Sequence, residues 1–165
     1  MPTLSIVSAS GGAGRSTLTS ALTSLCVRSN LWSLAVEFDP QNLLAYHFGA
    51  HAAPSDGLAS RAARSLPWNT AALSASDGAL VLPFGELSHP AYVDWERRLI
   101  VEPDWLHSRL QSIARPADGW TFIDTPRWPS TLTRQGLAAS DLVLVALRPD
   151  ATSLITLDPL LERLE

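Results

Sequence analysis

The chain has 165 residues, 46% hydrophobic and 17% charged, which suits one globular domain and excludes a disordered or disulfide-stapled class. Its 12 basic residues against 16 acidic ones offer no electrostatic case for a dedicated nucleic-acid binder. No run of about 18 apolar residues and no basic segment ahead of an apolar stretch is present, so neither a transmembrane helix nor a signal peptide is read. The one cysteine, Cys26, cannot close an internal disulfide and points to the cytoplasm. All 12 basic residues are arginine, and lysine is absent altogether.

No internal repeat is evident, so residues 1–165 are read as one unit. Thr3–Val7 is a short buried strand that runs into the loop Ser8–Gly14. Leu18, Ala21, Leu22, Leu25 and Cys26 recur at helical spacing and predict an amphipathic helix with Cys26 on its buried stripe. Ser33–Phe38 is a second strand, closed by Asp39-Pro40, because proline restricts the residue before it and cannot donate to a ladder. Strand, glycine-rich turn, helix and strand make a βαβ unit with parallel strands. The segment from Gly49 to Asp77 is rich in Ala, Ser and Pro, with helix expected only over Gly57–Leu66.

A third strand is expected at Ala79–Phe84, then a helix starting at Pro103 with Leu106, Leu110 and Ile113 buried. Strand Trp120–Ile123, a loop from Asp124-Thr125-Pro126, a helix near Thr131–Ala139 and strand Leu142–Leu147 follow. A last helix begins near Ala151, breaks or restarts at Asp158-Pro159, and runs on through Leu160–Glu165 without a closing signal. Alternation of strands and helices predicts a three-layer α/β sheet. The missing closing signal makes a fragment of a longer protein the expectation.

Chemistry concentrates in three loops. In Gly11-Gly12-Ala13-Gly14-Arg15-Ser16-Thr17, glycines allow successive N–H groups to turn inward, and the following helix adds partial positive charge, which suits phosphate. Ser16 fits the hydroxyl position that binds a magnesium ion in a P-loop, although the lysine position holds Arg15 and Ala9 replaces the first glycine. Asp39 and Asp124 each fall just past a strand end, where ligands bind in parallel sheets. Each loop alone could be an ordinary turn; together they fit a magnesium–nucleotide site, one carboxylate holding the metal shell and the other positioning water.

These segments resemble the deviant Walker A, switch I and Walker B regions of the ParA/MinD ATPases. Asp39-Pro40-Gln41-Asn42-Leu43-Leu44 and Leu82-Pro83-Phe84-Gly85-Glu86-Leu87-Ser88 are most similar to the cellulose-biosynthesis branch, the YhjQ/BcsQ proteins. The resemblance implies a P-loop NTPase-like three-layer sandwich with a mostly parallel twisted sheet, incomplete at the C-terminus because the family is longer. It implies ATP and Mg²⁺ as cofactors and a nucleotide-dependent homodimer. Gly11, Gly12, Ala13, Gly14, Arg15, Ser16 and Thr17 would line the phosphate site. Ser16, Asp39 and Asp124 would serve the metal, and Asp39 would orient the attacking water.

The family's signature lysine corresponds to Ser10 and its P-loop lysine to Arg15, a wide planar fork in place of a compact ammonium. Weak or absent hydrolysis is therefore expected. The implied role is an accessory or positioning protein for cellulose synthesis and secretion, in contact with the cellulose synthase complex or its regulatory subunits. It would be cytoplasmic, with recruitment to the inner membrane or cell pole through partners. The C-terminal amphipathic helix by which some relatives reach membranes is not read here.

Two other readings stay open. One is a scaffold that binds no nucleotide. The other is a dinucleotide-binding oxidoreductase using Gly12, Gly14 and Glu37, although its third fingerprint glycine falls on Thr17. His47, His51, His89 and His107 lack metal-ligand spacing. Arg61/Arg64 and Arg97-Arg98 read as solvated helix faces. The tryptophans are expected mainly in the core, with Trp128 in the Asp124 loop a candidate partner contact.

Overall fold

A computed structural model describes residues 2–113 and 116–162. The final three residues of the helix expected over Leu160–Glu165 lie outside this range. Six strands form one sheet: β1 (Thr3–Val7), β2 (Ser33–Glu37), β3 (Leu73–Ser74), β4 (Leu80–Leu82), β5 (Trp120–Asp124) and β6 (Leu142–Val145). Their order is β3-β4-β2-β5-β1-β6. Every pairing is parallel except β3 with β4. All five residues of β2 are buried, as expected for a parallel strand covered on both faces.

Helices α1 (Arg15–Arg28) and α2 (Leu44–His47) cover one face. Helices α3 (Leu58–Ala63), α4 (His89–Val101), α5 (Trp105–Gln111) and α6 (Thr131–Ala138) cover the other. The larger core joins Leu34, Val36, Leu82 and Ile123 of the sheet to Leu58, Trp95, Leu99, Leu106 and Leu132. The smaller one sets Ile6 and Phe122 against Leu18, Leu22 and Cys26. Phe122 and Ile123 thus point to opposite faces, as strand alternation requires. The expected three-layer, mostly parallel architecture is present.

Several boundaries differ from the sequence reading. On α1 the fully buried positions are Thr19 and Thr23, whereas Leu25 is 57% exposed. Each threonine hydroxyl donates to the carbonyl four residues back, so neither is buried unsatisfied. Helix α4 was not placed by the sequence; Ser88 precedes it and Pro90 occupies its first turn. The helix expected from Pro103 starts at Trp105. In the last segment, α7 (Ala151–Ile155) breaks at Thr156, and Asp158-Pro159 lie inside α8 (Leu157–Leu161), because a proline is tolerated in a helix's first turn.

The topology sets the site. Strand β5 lies between β1 and β2, with Ile6 and Glu37 both in register with Asp124. The carboxyl ends of all three therefore open onto one crevice. Backbone bonds tie the loops there: Phe38 N–H donates to Asp124 O at 2.9 Å and Trp128 N–H to Ser8 O at 2.9 Å.

Candidate functional site

The glycine loop reaches α1 through two left-handed residues, Gly12 (φ 68°) and Gly14 (φ 86°), a region costly for any residue carrying a Cβ. Gly14 forms the N-terminal boundary of α1 and has no side-chain cap, and the first turn holds no acidic residue. Its first amides are therefore available to an anion, in the partial positive field of a 14-residue helix. Gly12 to Thr17, with Glu37, Asp39, Gln41, Leu43 and His47, line a cleft of about 200 Å³.

Arg15 turns inward across this cleft. Its Nε donates to Thr125 O at 2.8 Å, and Nη1 donates to Ser8 Oγ and, at 3.3 Å, to Ser10 O. Nη2 lies 3.6 Å from Asp39 Oδ2, with both side chains 12% exposed. The guanidinium ties all three strand-end loops together. Asp39 also accepts from Gln41 N–H through Oδ1 at 2.9 Å, which fixes the turn after β2. Asn42, 4% exposed, donates to Pro54 O at 2.6 Å and accepts from Gly85 N–H at 3.3 Å. The two segments that carried the cellulose-branch resemblance thus meet at Asn42.

Asp124 lies beneath the cleft floor, 1% exposed, and neither carboxylate oxygen has a hydrogen-bond partner of good geometry. Burial raises its pKa to about 7; the neighbouring Ser16 hydroxyl and Arg15 oppose the rise, and Asp39 adds to it. Glu37, its cross-strand neighbour, accepts from Leu44 N–H through Oε1 at 2.7 Å, while Oε2 is buried and unpartnered. Burial first, then Asp124 and Asp39, push Glu37 up to about 8 against the pull of the Leu44 amide. Three carboxylates therefore gather here, and Arg15 acts on two of them, Asp39 and Asp124.

Of the sequence-assigned residues, Arg15, Ser16, Asp39 and Asp124 converge, and Gly12, Ala13, Gly14 and Thr17 line the same cleft. Gly11 is exposed and lies outside the cleft wall. Sequence reasoning missed Glu37 as a member of the cluster, and His47 as part of the wall. The Glu37 signal was available, since it lies two residues before Asp39 on the same face of an extended chain. Among the described residues, no group of three His, Cys, Asp or Glu side chains could hold a metal alone. The chemistry fits a magnesium ion arriving with a phosphate, which needs only one or two protein oxygens.

The sequence profile described as "Cellulose biosynthesis protein BcsQ" matches residues 1–162. The chain belongs to the BcsQ family. It is 30% identical over 162 residues to the cellulose biosynthesis protein BcsQ of Escherichia coli, covering 95% of this chain and 63% of that protein. It is 27% identical over 161 residues to the BcsQ of Salmonella typhi, covering 95% and 63%. The chain therefore spans less than two thirds of the length of these relatives.

Solved structures similar in fold include a cobyrinic acid a,c-diamide synthase from Mycobacterium smegmatis bound to an ATP analogue and magnesium. Its TM-score is 0.85 and its identity 18%, over 99% of this chain and 67% of that one. A Cyanothece McdA variant in complex with ATP has a TM-score of 0.81 and 22% identity, over 98% and 62%. The septum site-determining protein MinD of Pyrococcus horikoshii, complexed with Mg-ADP, has a TM-score of 0.78 and 18% identity, over 98% and 66%. The BcsQ-family chain thus has the ParA/MinD-type ATPase fold. No helix among the described residues is long and apolar enough to cross a membrane.

Proposed function

We propose that the Gly11–Thr17 loop binds Mg-ATP and that the protein acts as a nucleotide-gated accessory or positioning factor in cellulose biosynthesis. One observation carries the nucleotide reading. An uncapped helix start entered through two left-handed glycines stands beside a buried carboxylate, Asp124, whose oxygens lack a hydrogen-bond partner of good geometry. A phosphate would satisfy the first-turn amides, and a magnesium ion would satisfy the Ser16 hydroxyl and, through its water shell, Asp124. Asp39, held by Gln41 N–H and facing Arg15, is positioned to orient water. Bound ATP supplies the phosphoanhydride; the chain supplies orientation, charge and exclusion of solvent.

Slow hydrolysis follows from the cations. Arg15 is engaged by Thr125, Ser8, Ser10 and Asp39, and reaching a phosphate costs it part of that set. Ser10, the signature-lysine position, is 9% exposed and shares a 2.9 Å hydrogen bond with Ser153. Losing a transition-state cation costs ~10³–10⁵ in phosphoryl-transfer rate, whereas backbone amides still bind. The relatives' names support the cellulose pathway. In this reading the ATP-bound form pairs as a homodimer in the cytoplasm, and the cellulose synthase complex or its regulatory subunits recruit it to the inner membrane or pole.

The same Arg15 contacts favour one competitor, a scaffold whose phosphate site is permanently closed by its own arginine. Native mass spectrometry in Mg-ATP separates the two. A dimer carrying intact ATP is the expected result, and rapid accumulation of bound ADP would overturn the slow-hydrolysis component. A bare monomer, from this chain and from a chain of the relatives' full length, would leave the scaffold.

A further inference from the structure

A chain without lysine that binds a polyanion must find its second cation elsewhere. Ser10 has no charge to give, and Arg15 already serves the strand ends. The loop after β6 brings another arginine to the same place. Arg148 Nη1 lies 3.8 Å from the position a Cβ on Gly12 would occupy, so the guanidinium stands against the outer side of the phosphate loop.

Its placement is built. The carboxylate of Asp150 lies 3.0 Å from Arg148 Nε and also accepts from Ser153 N–H at 2.8 Å, starting α7. Ser153, fully buried, holds Ser10 through the 2.9 Å hydroxyl pair, and Ala146 N–H donates to Val7 O at 2.8 Å. The turn from Ala146 to Ser153 is therefore fastened at one end to the last residue of β1 and at the other to the glycine loop. Asp150 faces one edge of the guanidinium. Nη1 and Nη2 have no hydrogen-bond partner among the described residues, and the side chain is 54% exposed.

We infer that Arg148 is the second phosphate-binding cation of this site, taking from an alternate loop the charge that Ser10 lacks. The structural logic is compensation. Asp150 presets the fork, so little rotamer freedom is lost on meeting the ligand, and a planar guanidinium can give two parallel N–H groups to one phosphate. Glycine suits position 12 beside it because the backbone there is left-handed (φ 68°), a conformation that side chains rarely adopt. Arg148 would then reach the anion from the loop after β6, beside Gly12, and Arg15 from the strand ends.

This inference rests on the nucleotide reading, and the test separates the two. Dissociation constants for fluorescent ATP and ADP analogues with magnesium are measured for the unaltered chain, Arg148→Ala and Arg148→Lys. Thermal midpoints without ligand run alongside. Arg148→Ala should weaken binding of the ATP analogue, the ADP analogue or both by roughly ten-fold, the scale of one hydrogen bond to a charged group. Arg148→Lys should fall between, keeping the charge and losing the fork. The unliganded midpoint should hold, since an exposed side chain is removed; if Arg148→Ala unfolds, the lysine variant decides alone. Unaltered affinity in both variants overturns the role of Arg148 and leaves nucleotide binding intact. No binding by the unaltered chain overturns the nucleotide reading itself, and the role of Arg148 with it.

Discussion

The two faces of the sheet are built from different materials. Beneath α3 to α6 lies an aromatic core, where Trp95 packs edge-on to Phe38 at 5.6 Å, Phe84 at 5.4 Å and Trp105 at 5.7 Å. Such pairs add ~0.5–1.5 kcal/mol each beyond their buried area. Under α1 the core is thinner, and its buried helical positions are two threonines that bond back to their own helix. The carboxyl end of the sheet differs again, burying Glu37 and Asp124 with oxygens that no protein group satisfies. The crevice thus carries unsatisfied polar atoms, a cost that the aromatic face offsets. The difference sets the proposed nucleotide site against the helix whose start has no side-chain cap.

The largest test of this contrast is Trp95→Ala, which removes the hub of the aromatic face. Chemical denaturation should register a loss of ~3–5 kcal/mol. Nucleotide affinity, measured where the variant is still folded, should be unchanged, because the ring partners of Trp95, namely Phe38, Phe84 and Trp105, do not line the cleft.

Next comes the cost of the buried carboxylates. Glu37 holds its proton up to about pH 8 when folded against an ordinary value of 4.5, so between these values the folded state binds more protons than the unfolded one. Stability should therefore fall as pH climbs through that window, by roughly 2–4 kcal/mol. Asp124, raised to about 7, adds to the slope below that pH, so in melts taken from pH 5 to 8.5 Glu37→Gln should flatten the part above pH 7. A slope that survives this substitution above pH 7 would move its origin to another group.

A smaller effect sharpens the same point from the ligand side. Asp124 titrates near 7, and a magnesium–phosphate ligand favours its ionised form. Binding near pH 6.5 should release a fraction of a proton, read by titration calorimetry in buffers of different ionisation enthalpy. Asp124→Asn should abolish that release.

The smallest expected change is Thr23→Val on α1. The hydroxyl gives 2.7 Å to Thr19 O, a carbonyl that also belongs to the helix ladder, so the isosteric swap strands no donor. A shift within about 1 kcal/mol is expected by denaturation, against several for the aromatic face.

The candidate site was readable to the extent that its chemistry is local. Gly12, Gly14 and Ser16 sit within five residues, and Asp39 follows, and Asp124 ends, a strand recognisable from its apolar run, β5 reaching one residue beyond the expected Ile123. Helix α4 escaped because its apolar residues, Tyr92, Trp95, Leu99 and Ile100, are interleaved with charges and followed Pro83-Phe84-Gly85, a stretch that reads as loop. Thr19 and Thr23 escaped because a polar side chain looks exposed until its internal hydrogen bond is known.

By itself, the sequence determined the glycine-rich loop between strand and helix, the two strand-end aspartates, the parallel α/β pattern and the absence of lysine, since each is legible within a few residues. Only the tertiary structure decided that Arg15 closes on Asp39 and Thr125, and that Glu37 and Asp124 share one buried register. It alone set Ser153 and Arg148 against a loop more than 130 positions earlier. Contacts at such separation arise when the sheet order places β6 beside β1, and no local propensity encodes that order.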